Sequence, residues 1–240
     1  MTINNSSNVC TFIHDQICHN YADLKTWFQA TSSQLSYPIY SSYDIRDSGY
    51  KITNVDANIY PAGFNNICPT DKETSVDLLK KYLQSHYNFD VKKILIITEE
   101  HTKNPYYLEN VATISDLLLQ GGFEVRLAFP KDLSDVLNLQ SVTGRELQFG
   151  SGYQSSSWIR NFKPDLIISN NDFSDSLVDW ASQNITPMNP PRELGWYQRK
   201  KFRYFKHYNN LVNDFSKVIK IDPFLLGVET EEFANFDIND

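Results

Sequence analysis

A polar stretch between residues 41 and 66 combines the side chains that an amino-acid ligand requires. An amino acid presents a carboxylate, which a cation can bind, and an ammonium group, which a carboxylate can bind. The stretch also holds amides, which both donate and accept hydrogen bonds. A loop whose polar groups satisfy one another is the alternative. The candidate substrate-binding residues here are Arg46, Lys51, Asp56, Asn58, Asn65 and Asn66.

A second polar cluster, Asn170, Asn171 and Asp172, directly follows the apolar run 166–169. In open α/β sheets, ligands bind outside the carboxyl ends of the strands. Two adjacent amides and a carboxylate at such an end can fix a polar ligand, so Asn171 and Asp172 are candidate substrate-binding residues. The alternative is that these side chains form Asx turns and cap the next helix.

A third candidate is basic, although the chain as a whole is acidic. Six Lys or Arg residues, among them Arg199 and Lys200, lie between positions 192 and 206, where a long helix is predicted to begin. A helix N-terminus offers free N–H groups and the positive end of the helix dipole, so an anion site is one interpretation. A solvated helix face is another. Nucleic-acid binding is less favoured, because the apolar stripe of the helix claims some of the nearby aromatic residues.

Cys10, His14, Cys18 and His19 are spaced like metal ligands at first sight. On a helix, however, Cys10 and Cys18 would lie about 12 Å apart, because each residue rises 1.5 Å. One zinc ion with short ligand bonds cannot span that distance. We therefore predict no metal site here, and expect buried cysteines and surface histidines.

The apolar pattern predicts the elements that must position these groups. A continuous apolar run at 94–98 is typical of a buried parallel strand. Asn104 and Pro105 begin a helix as N-cap and first residue, and Gly121-Gly122 ends it before a second strand at 123–129. Together with a third strand at 166–169, this strand–helix–strand unit predicts an α/β fold with a parallel, Rossmann-like sheet and flanking helices.

The remaining segments are predicted in less detail. We expect one helix from Ile13 to Phe28, short strands within 37–70, and a hairpin or exposed loop at 141–157. Further helices are expected at about 76–83, 175–181 and 196–219. The predicted organisation is a helical segment at 1–36, an α/β substrate domain at 37–191, and a basic helix with an acidic tail at 192–240.

The composition excludes several classes of protein. The 240 residues are 41% apolar and 14% aromatic, which excludes a disordered or collagen-like chain. The net charge is −7, whereas binders of duplex DNA or anionic membranes are usually basic. The sequence has no apolar run of about 18 residues, and its first eight residues do not resemble a secretion signal. We expect a cytoplasmic protein with no nucleic-acid or membrane partner.

The polar stretches resemble the N-terminal part of the proteobacterial-type glutamate–cysteine ligase family. The longest matching string is Val-Asp-Ala-Asn-Ile-Tyr-Pro-Ala-Gly-Phe-Asn-Asn at 55–66. Further matches follow in order and cover nearly the whole chain from about residue 37. They lie at 43–51, 100–104, 170–174, 195–201 and 221–223.

The resemblance implies an ATP-dependent ligase similar to ATP-grasp enzymes. ATP would phosphorylate the γ-carboxylate of glutamate, and the amine of cysteine would attack the acyl phosphate. Mg²⁺ and cationic side chains would neutralise the transferring phosphoryl group. The sheet would form a pre-ATP-grasp domain, and the substrate-binding candidates named above would line the amino-acid site. Arg199 and Lys200 would face an anion, either a substrate carboxylate or a phosphate.

The family continues into an ATP-grasp portion, whereas this chain stops at Asp240. We therefore expect most of the ATP and Mg²⁺ site to lie outside the chain, and no ligase activity from the chain alone. Besides glutamate and cysteine, a separate ATP-grasp half or a second copy is an expected partner. The alternative is a non-catalytic amino-acid-binding or subunit-docking module. A small Rossmann-like nucleotide-binding protein is less favoured, because no Gly-rich loop follows Ile97.

Overall fold

The computed structural model describes residues 8–33, 35–58, 60, 63–99, 104–171, 180, 184–191 and 201–230. The chain divides into two compact units. Unit 1 comprises Met1–Tyr37, Tyr43–Ala57 and Arg199–Asp240, and unit 2 comprises Pro38–Ser42 and Asn58–Gln198. The predicted segments 1–36 and 192–240 therefore fall largely in unit 1, and most of 37–191 falls in unit 2.

Helices and strands both occur in each of the two units. The described helices are α1 (Val9–His19), α2 (Tyr21–Ser32), α3 (Pro69–His86), α4 (Pro105–Gln120), α5 (Ser157–Phe162) and α6 (Lys201–Ile219). The described strands are β1 (Ser42–Asp47), β2 (Ile52–Asn58), β3 (Lys93–Thr98), β4 (Glu124–Phe129), β5 (Leu137–Gln140), β6 (Glu146–Ser151), β7 (Leu166–Asn170) and β8 (Met188–Asn189).

Unit 2 is built on one sheet with the strand order β5-β6-β4-β3-β7-β8. The pairs β6–β4, β4–β3, β3–β7 and β7–β8 are parallel, and β5 is antiparallel to β6. The predicted mostly parallel α/β fold is thus confirmed. The central strand β3 is covered on both faces, since each residue from Ile94 to Ile97 is at most 1% exposed. Such burial explains the uninterrupted apolar run in its sequence.

The strand–helix–strand prediction is confirmed by β3, α4 and β4. The side chain of Asn104 accepts a hydrogen bond from the Tyr106 N–H, and Pro105 opens α4. Helix α4 ends at Gly121, and Gly122 follows with φ +90°, a conformation that favours glycine. The predicted helix at 76–83 is also present, as the middle of the longer α3.

The glycine-rich region around residue 150 forms a hairpin rather than an exposed loop. Strands β5 and β6 are joined by the turn at 141–145, and β6 lies inside the sheet beside β4. A Cβ atom at Gly150 would overlap the indole of Trp158. The Trp158 Nε1–H also donates to the Leu127 oxygen at 3.0 Å. Glycine is therefore needed for the close contact between this ring and the sheet.

Unit 1 contains helices α1, α2 and α6 and the hairpin β1–β2. The prediction of one continuous helix from Ile13 to Phe28 is wrong, because the chain turns at Asn20 between α1 and α2. The Asn20 amide donates to the Gln16 and Ile219 oxygens, which stabilises this break. Consequently Tyr21 and Phe28 are exposed instead of continuing the apolar stripe.

Helix α6 follows the predicted apolar stripe more closely. Phe205, Val212 and Ile219 are buried, and Phe215 packs edge-on against Trp27 of α2 with ring centroids 5.9 Å apart. Residues 175–179, 181 and 196–200, which were predicted to be helical, lie outside the described residues. None of the described helices is long and apolar enough to cross a membrane.

The expectation that Cys10 and Cys18 are buried is wrong. Cys10, Cys18 and Cys68 are free and exposed. Helix α1 buries Val9 and Ile13, and this places Cys10 and Cys18 on the outer surface. Cys18 Sγ lies 3.6 Å from His14 Nε2, one helical turn away.

Candidate functional site

The hairpin β1–β2 carries the cationic candidates Arg46 and Lys51. Arg46 lies within β1, which is exposed from Tyr43 to its end. The turn that follows is closed by a hydrogen bond from the Gly49 N–H to Asp47 Oδ1 at 2.7 Å. Lys51 Nζ lies 4.5 Å from the centroid of the Phe224 ring, a cation–π contact. The structure thus holds Lys51 against an aromatic face and leaves Arg46 in water.

Asp56 on β2 forms an ion pair that the sequence did not reveal. Its Oδ1 is buried and lies 3.2 Å from Nζ of Lys201, the first residue of α6. The side chain of Asp56 is 26% exposed and that of Lys201 is 59% exposed. Because Lys201 already compensates the carboxylate, the ammonium group of an amino acid would have to compete with it or bind beside it.

Tyrosine hydroxyls fix the position of β2 against α6. The Tyr204 hydroxyl donates to Asn54 Oδ1 at 3.0 Å, and the Tyr208 hydroxyl accepts from the Asn54 N–H at 3.3 Å. Next to them, the Thr53 hydroxyl donates to the Leu226 oxygen at 2.7 Å. These bonds are part of unit 1 and determine where Asp56 points relative to Lys201.

The candidate asparagines of unit 2 include two neighbours in a short 3₁₀ turn, Phe64–Asn66. The Asn65 amide donates to Asn66 Oδ1 at 3.2 Å, so these two side chains bond to each other. The Asn110 side chain of α4 accepts from the Phe64 N–H at 2.8 Å and anchors the turn. Asn58 ends β2 and is half-buried.

The carboxyl edge of the sheet holds Asn171 at the ends of β3 and β7. Thr98 and Asn170 are register partners there. The Asn171 amide donates to the Thr98 oxygen at 3.2 Å, and the Ser169 hydroxyl donates to the Asn171 oxygen at 2.9 Å. Asn171 is only 4% exposed. It therefore ties two strands together at the edge where α/β proteins bind ligands.

The described candidates divide into two sets, one in each unit. The hairpin of unit 1 carries Arg46, Lys51 and Asp56. In unit 2, the 3₁₀ turn carries Asn65 and Asn66, the sheet edge carries Asn171, and Asn58 lies at the end of β2. The other predicted site residues, Asp172, Arg199 and Lys200, lie outside the described residues.

Glu109 has the most strongly lowered pKa among the described carboxylates. Burial would raise its pKa, but hydrogen bonds from Ser141 and Thr143 and the charge of Arg145 lower it to about 2. Arg145 Nη1 donates to Glu109 Oε1 at 2.9 Å, and Arg145 also pairs with Asp116. Because these partners join α4 to the turn between β5 and β6, the network braces the fold.

A metal site needs several ligand side chains close together. In the part of the chain that the structure describes, no three His, Cys, Asp or Glu side chains come together as metal ligands. These residues therefore offer no ready-made Mg²⁺ site. Two residues beside these sets were not predicted as site residues. Lys201 pairs with Asp56, and Tyr107 binds the main-chain oxygen of Asn170, next to Asn171. Lys201 belongs to the basic run at 192–206, and Tyr107 belongs to the predicted helix that begins at Asn104 and Pro105.

The mostly parallel sheet with its helices defines an α/β protein, and the carboxyl edge is where open α/β sheets bind ligands. A model of the family "GshA: Glutamate-cysteine ligase" matches residues 14–240. The chain belongs to the glutamate–cysteine ligase family.

One solved structure is similar to this chain over nearly the whole of its length. A protein from Methylobacillus flagellatus KT, which carries the provisional name gamma-glutamylcysteine synthetase, is 27% identical with a TM-score of 0.81. The match covers 95% of this chain and 54% of that chain, so this chain spans about half the length of the relative. No curated protein sequence matches this chain.

Proposed function

We propose that this chain supplies the amino-acid-binding side of a glutamate–cysteine ligase. The enzyme would join the γ-carboxylate of glutamate to the amine of cysteine with ATP as the phosphoryl donor. The family match over residues 14–240 is the observation that carries this proposal. We also propose that this ligase is a cytoplasmic enzyme.

The proposed reaction has two steps. A γ-carboxylate oxygen of glutamate attacks the γ-phosphorus of ATP, and ADP leaves. The nitrogen of cysteine then attacks the acyl carbon, the bond to the phosphate oxygen breaks, and the nitrogen loses a proton. Bound Mg²⁺ would neutralise charge on the transferring phosphoryl group.

Each candidate residue takes a role suited to its charge. Arg46 and Lys51 would bind substrate carboxylates, and Asp56 would bind a substrate ammonium group. The asparagines would orient the substrates through hydrogen bonds, and the basic pair would face a carboxylate or phosphate. These residues are Asn58, Asn65, Asn66, Asn171 with its neighbour Asp172, and the pair Arg199 and Lys200.

We further propose that ATP and Mg²⁺ are held mainly by ligase sequence that this chain does not span. The chain covers about half of the solved relative, and its described residues bring no metal ligands together. The purified chain should then bind glutamate without forming γ-glutamylcysteine when ATP and cysteine are added. Detection of that product by mass spectrometry would contradict this part of the proposal.

A second candidate is a module that binds an amino acid or docks onto a separate ATP-grasp subunit. Tyr43, Ile45 and Tyr50 of the hairpin region are 57%, 68% and 65% exposed, and such apolar exposure favours a docking role. Glutamate binding that never leads to turnover, even after the separate subunit is added, would favour this module over the ligase.

Equilibrium dialysis with labelled glutamate tests the proposed function. We expect saturable binding by the wild-type chain and about ten-fold or greater weakening in D56N, because the ammonium group loses a charged partner. The matched control is D214N, which breaks the exposed Asp214–Lys217 pair of the same unit and should leave binding unchanged. R46A should likewise weaken binding, whereas R160A, at an exposed position of α5, should not. Absence of saturable binding, or equal weakening in variants and controls, would contradict the proposal.

A further inference from the structure

Tyr107 links the ends of two central strands through a single hydroxyl group. Its oxygen accepts from the Glu99 N–H at 3.1 Å, directly after β3. The same hydroxyl donates to the main-chain oxygen of Asn170 at 3.0 Å, at the end of β7. Tyr107 belongs to the first turn of α4, the helix that follows β3. One side chain thus connects the helix to both strand ends.

The connection lies beside the one made by Asn171. Asn171 comes directly after the Asn170 carbonyl that Tyr107 binds, and its amide reaches across to the Thr98 oxygen. Thr98 in turn directly precedes Glu99. The two crosslinks therefore join the same pair of strand ends, and the direction of the Asn171 side chain depends on their separation.

We infer that Tyr107 is a positioning residue for the amino-acid site, because its hydroxyl fixes the spacing of the β3 and β7 ends and so the orientation of Asn171. This inference rests on the proposed function. It assigns to Tyr107 no contact with substrate.

The hydroxyl is chemically suited to a permanent crosslink. Burial raises the pKa of Tyr107 above its ordinary value, more strongly than the hydrogen bond from Glu99 lowers it. The hydroxyl therefore keeps the proton that it donates to Asn170 across the working pH range. A phenylalanine at this position would retain the ring and its packing but would lose both bonds.

A double-mutant cycle on glutamate affinity tests the inference. The variants are Y107F, N171A and the double variant Y107F/N171A, with equilibrium dialysis against labelled glutamate and circular dichroism to confirm folding. Y107F should weaken glutamate binding by about ten-fold in the wild-type background and by much less in the N171A background. The matched control is Y82F, which removes a hydroxyl that accepts from the Asn189 amide in the same unit. Y82F should leave glutamate affinity unchanged.

The outcomes separate this inference from the proposed function. If the wild type binds glutamate but Y107F and Y82F weaken binding equally, the positioning role is overturned and the proposed function is not. Equal weakening by Y107F in the wild-type and N171A backgrounds would have the same meaning. No saturable glutamate binding by the wild type would overturn the proposed function and the positioning role with it.

A measurement on the wild-type chain keeps the test decisive if Y107F does not fold. The Glu99 N–H should exchange slowly with solvent even without glutamate, because the Tyr107 hydroxyl accepts its hydrogen bond. The side-chain amide protons of Asn171 should exchange more slowly when glutamate is added. Fast exchange at Glu99 in the free chain, or exchange at Asn171 that glutamate leaves unchanged, would overturn the positioning role.

Discussion

The two units of the chain hold their candidate ligand-binding groups in different ways. In unit 2, Asn171 is buried and bonded to the main chain of a neighbouring strand. In unit 1, Asp56 depends on the ammonium group of Lys201, which is largely in water. A parallel sheet therefore fixes side chains at its carboxyl edge through buried hydrogen bonds, whereas the hairpin relies on an ion pair whose cation is exposed to water.

This difference predicts how the two units respond to substitution. Buried contacts contribute more to stability than exposed ion pairs do, because water screens the exposed charges. Substitutions at the buried contacts of unit 2 should therefore cost more stability than substitutions at the polar contacts of unit 1. The four substitutions below test this contrast.

The largest effect is expected for Gly150→Ala in unit 2. The added Cβ would overlap the Trp158 indole, and overpacking of this kind costs about 3 kcal/mol. Urea unfolding followed by tryptophan fluorescence measures the loss. Gly227→Ala in unit 1 is the matched control, since its Cβ would lie 3.3 Å from the Pro223 oxygen and should cost about 1 kcal/mol or less. Equal losses in the two variants would contradict the contrast.

The next largest effect is expected for Glu109→Gln, and it should depend on pH. The folded pKa of Glu109 is about 2, below its ordinary value of 4.5, so folding favours the charged form. Its contribution is complete above about pH 5 and is lost as the pH falls toward 2. We expect Glu109→Gln to cost about 2 kcal/mol at pH 7, a value reduced for the solvent that screens the partly exposed Arg145.

Acid unfolding curves check the Glu109 prediction. Wild type and variant should converge in stability as the pH approaches 2. Glu124→Gln serves as the control, because Glu124 is 65% exposed and lies 4.0 Å from Lys93. A constant difference between wild type and Glu109→Gln from pH 7 to pH 2 would show that the charge is not the cause.

A smaller effect is expected for Tyr204→Phe in unit 1. The variant loses the hydroxyl that donates to Asn54 Oδ1, a half-buried hydrogen bond worth about 1 kcal/mol. Thermal unfolding followed by circular dichroism measures the change. Stability equal to that of the wild type would mean that water replaces the hydroxyl at no cost.

The smallest effect on stability is expected for Lys201→Gln. An ion pair whose cation is 59% exposed contributes about 0.5 kcal/mol, and added salt should reduce the difference from the wild type further. Urea unfolding at low and high salt measures both quantities. A loss as large as that of Glu109→Gln would contradict the contrast between the units.

The central part of the fold could be predicted from local sequence signals. The apolar run of β3, the Asn104-Pro105 start of α4 and the Gly121-Gly122 end each act within a few residues. The break at Asn20 could not be predicted in this way, because its amide bonds to the Ile219 oxygen, 199 residues away in the chain. A local pattern of apolar residues does not contain such a contact.

The same limit applies to the candidate site. The residue types and spacing between positions 41 and 66 indicated an amino-acid site, and the family match agrees with the resemblance on which that hypothesis rests. The pairing of Asp56 with Lys201 depends on how α6 packs against β2, which one sequence does not specify. Tyr107 lies in the helix that was predicted to begin at Asn104 and Pro105. The local pattern does not contain the two hydrogen bonds of its hydroxyl, because their partners lie at the ends of β3 and β7.

Titration calorimetry of the wild-type chain with L-glutamate, and then with L-aspartate, measures directly whether this chain forms a glutamate site. We expect saturable heat with glutamate and about ten-fold weaker binding of aspartate, because its shorter side chain cannot bring the second carboxylate to the cation that binds the γ-carboxylate of glutamate. Absence of saturable glutamate binding, or equal affinity for the two amino acids, would contradict the claim that this chain forms the glutamate-binding side of a ligase.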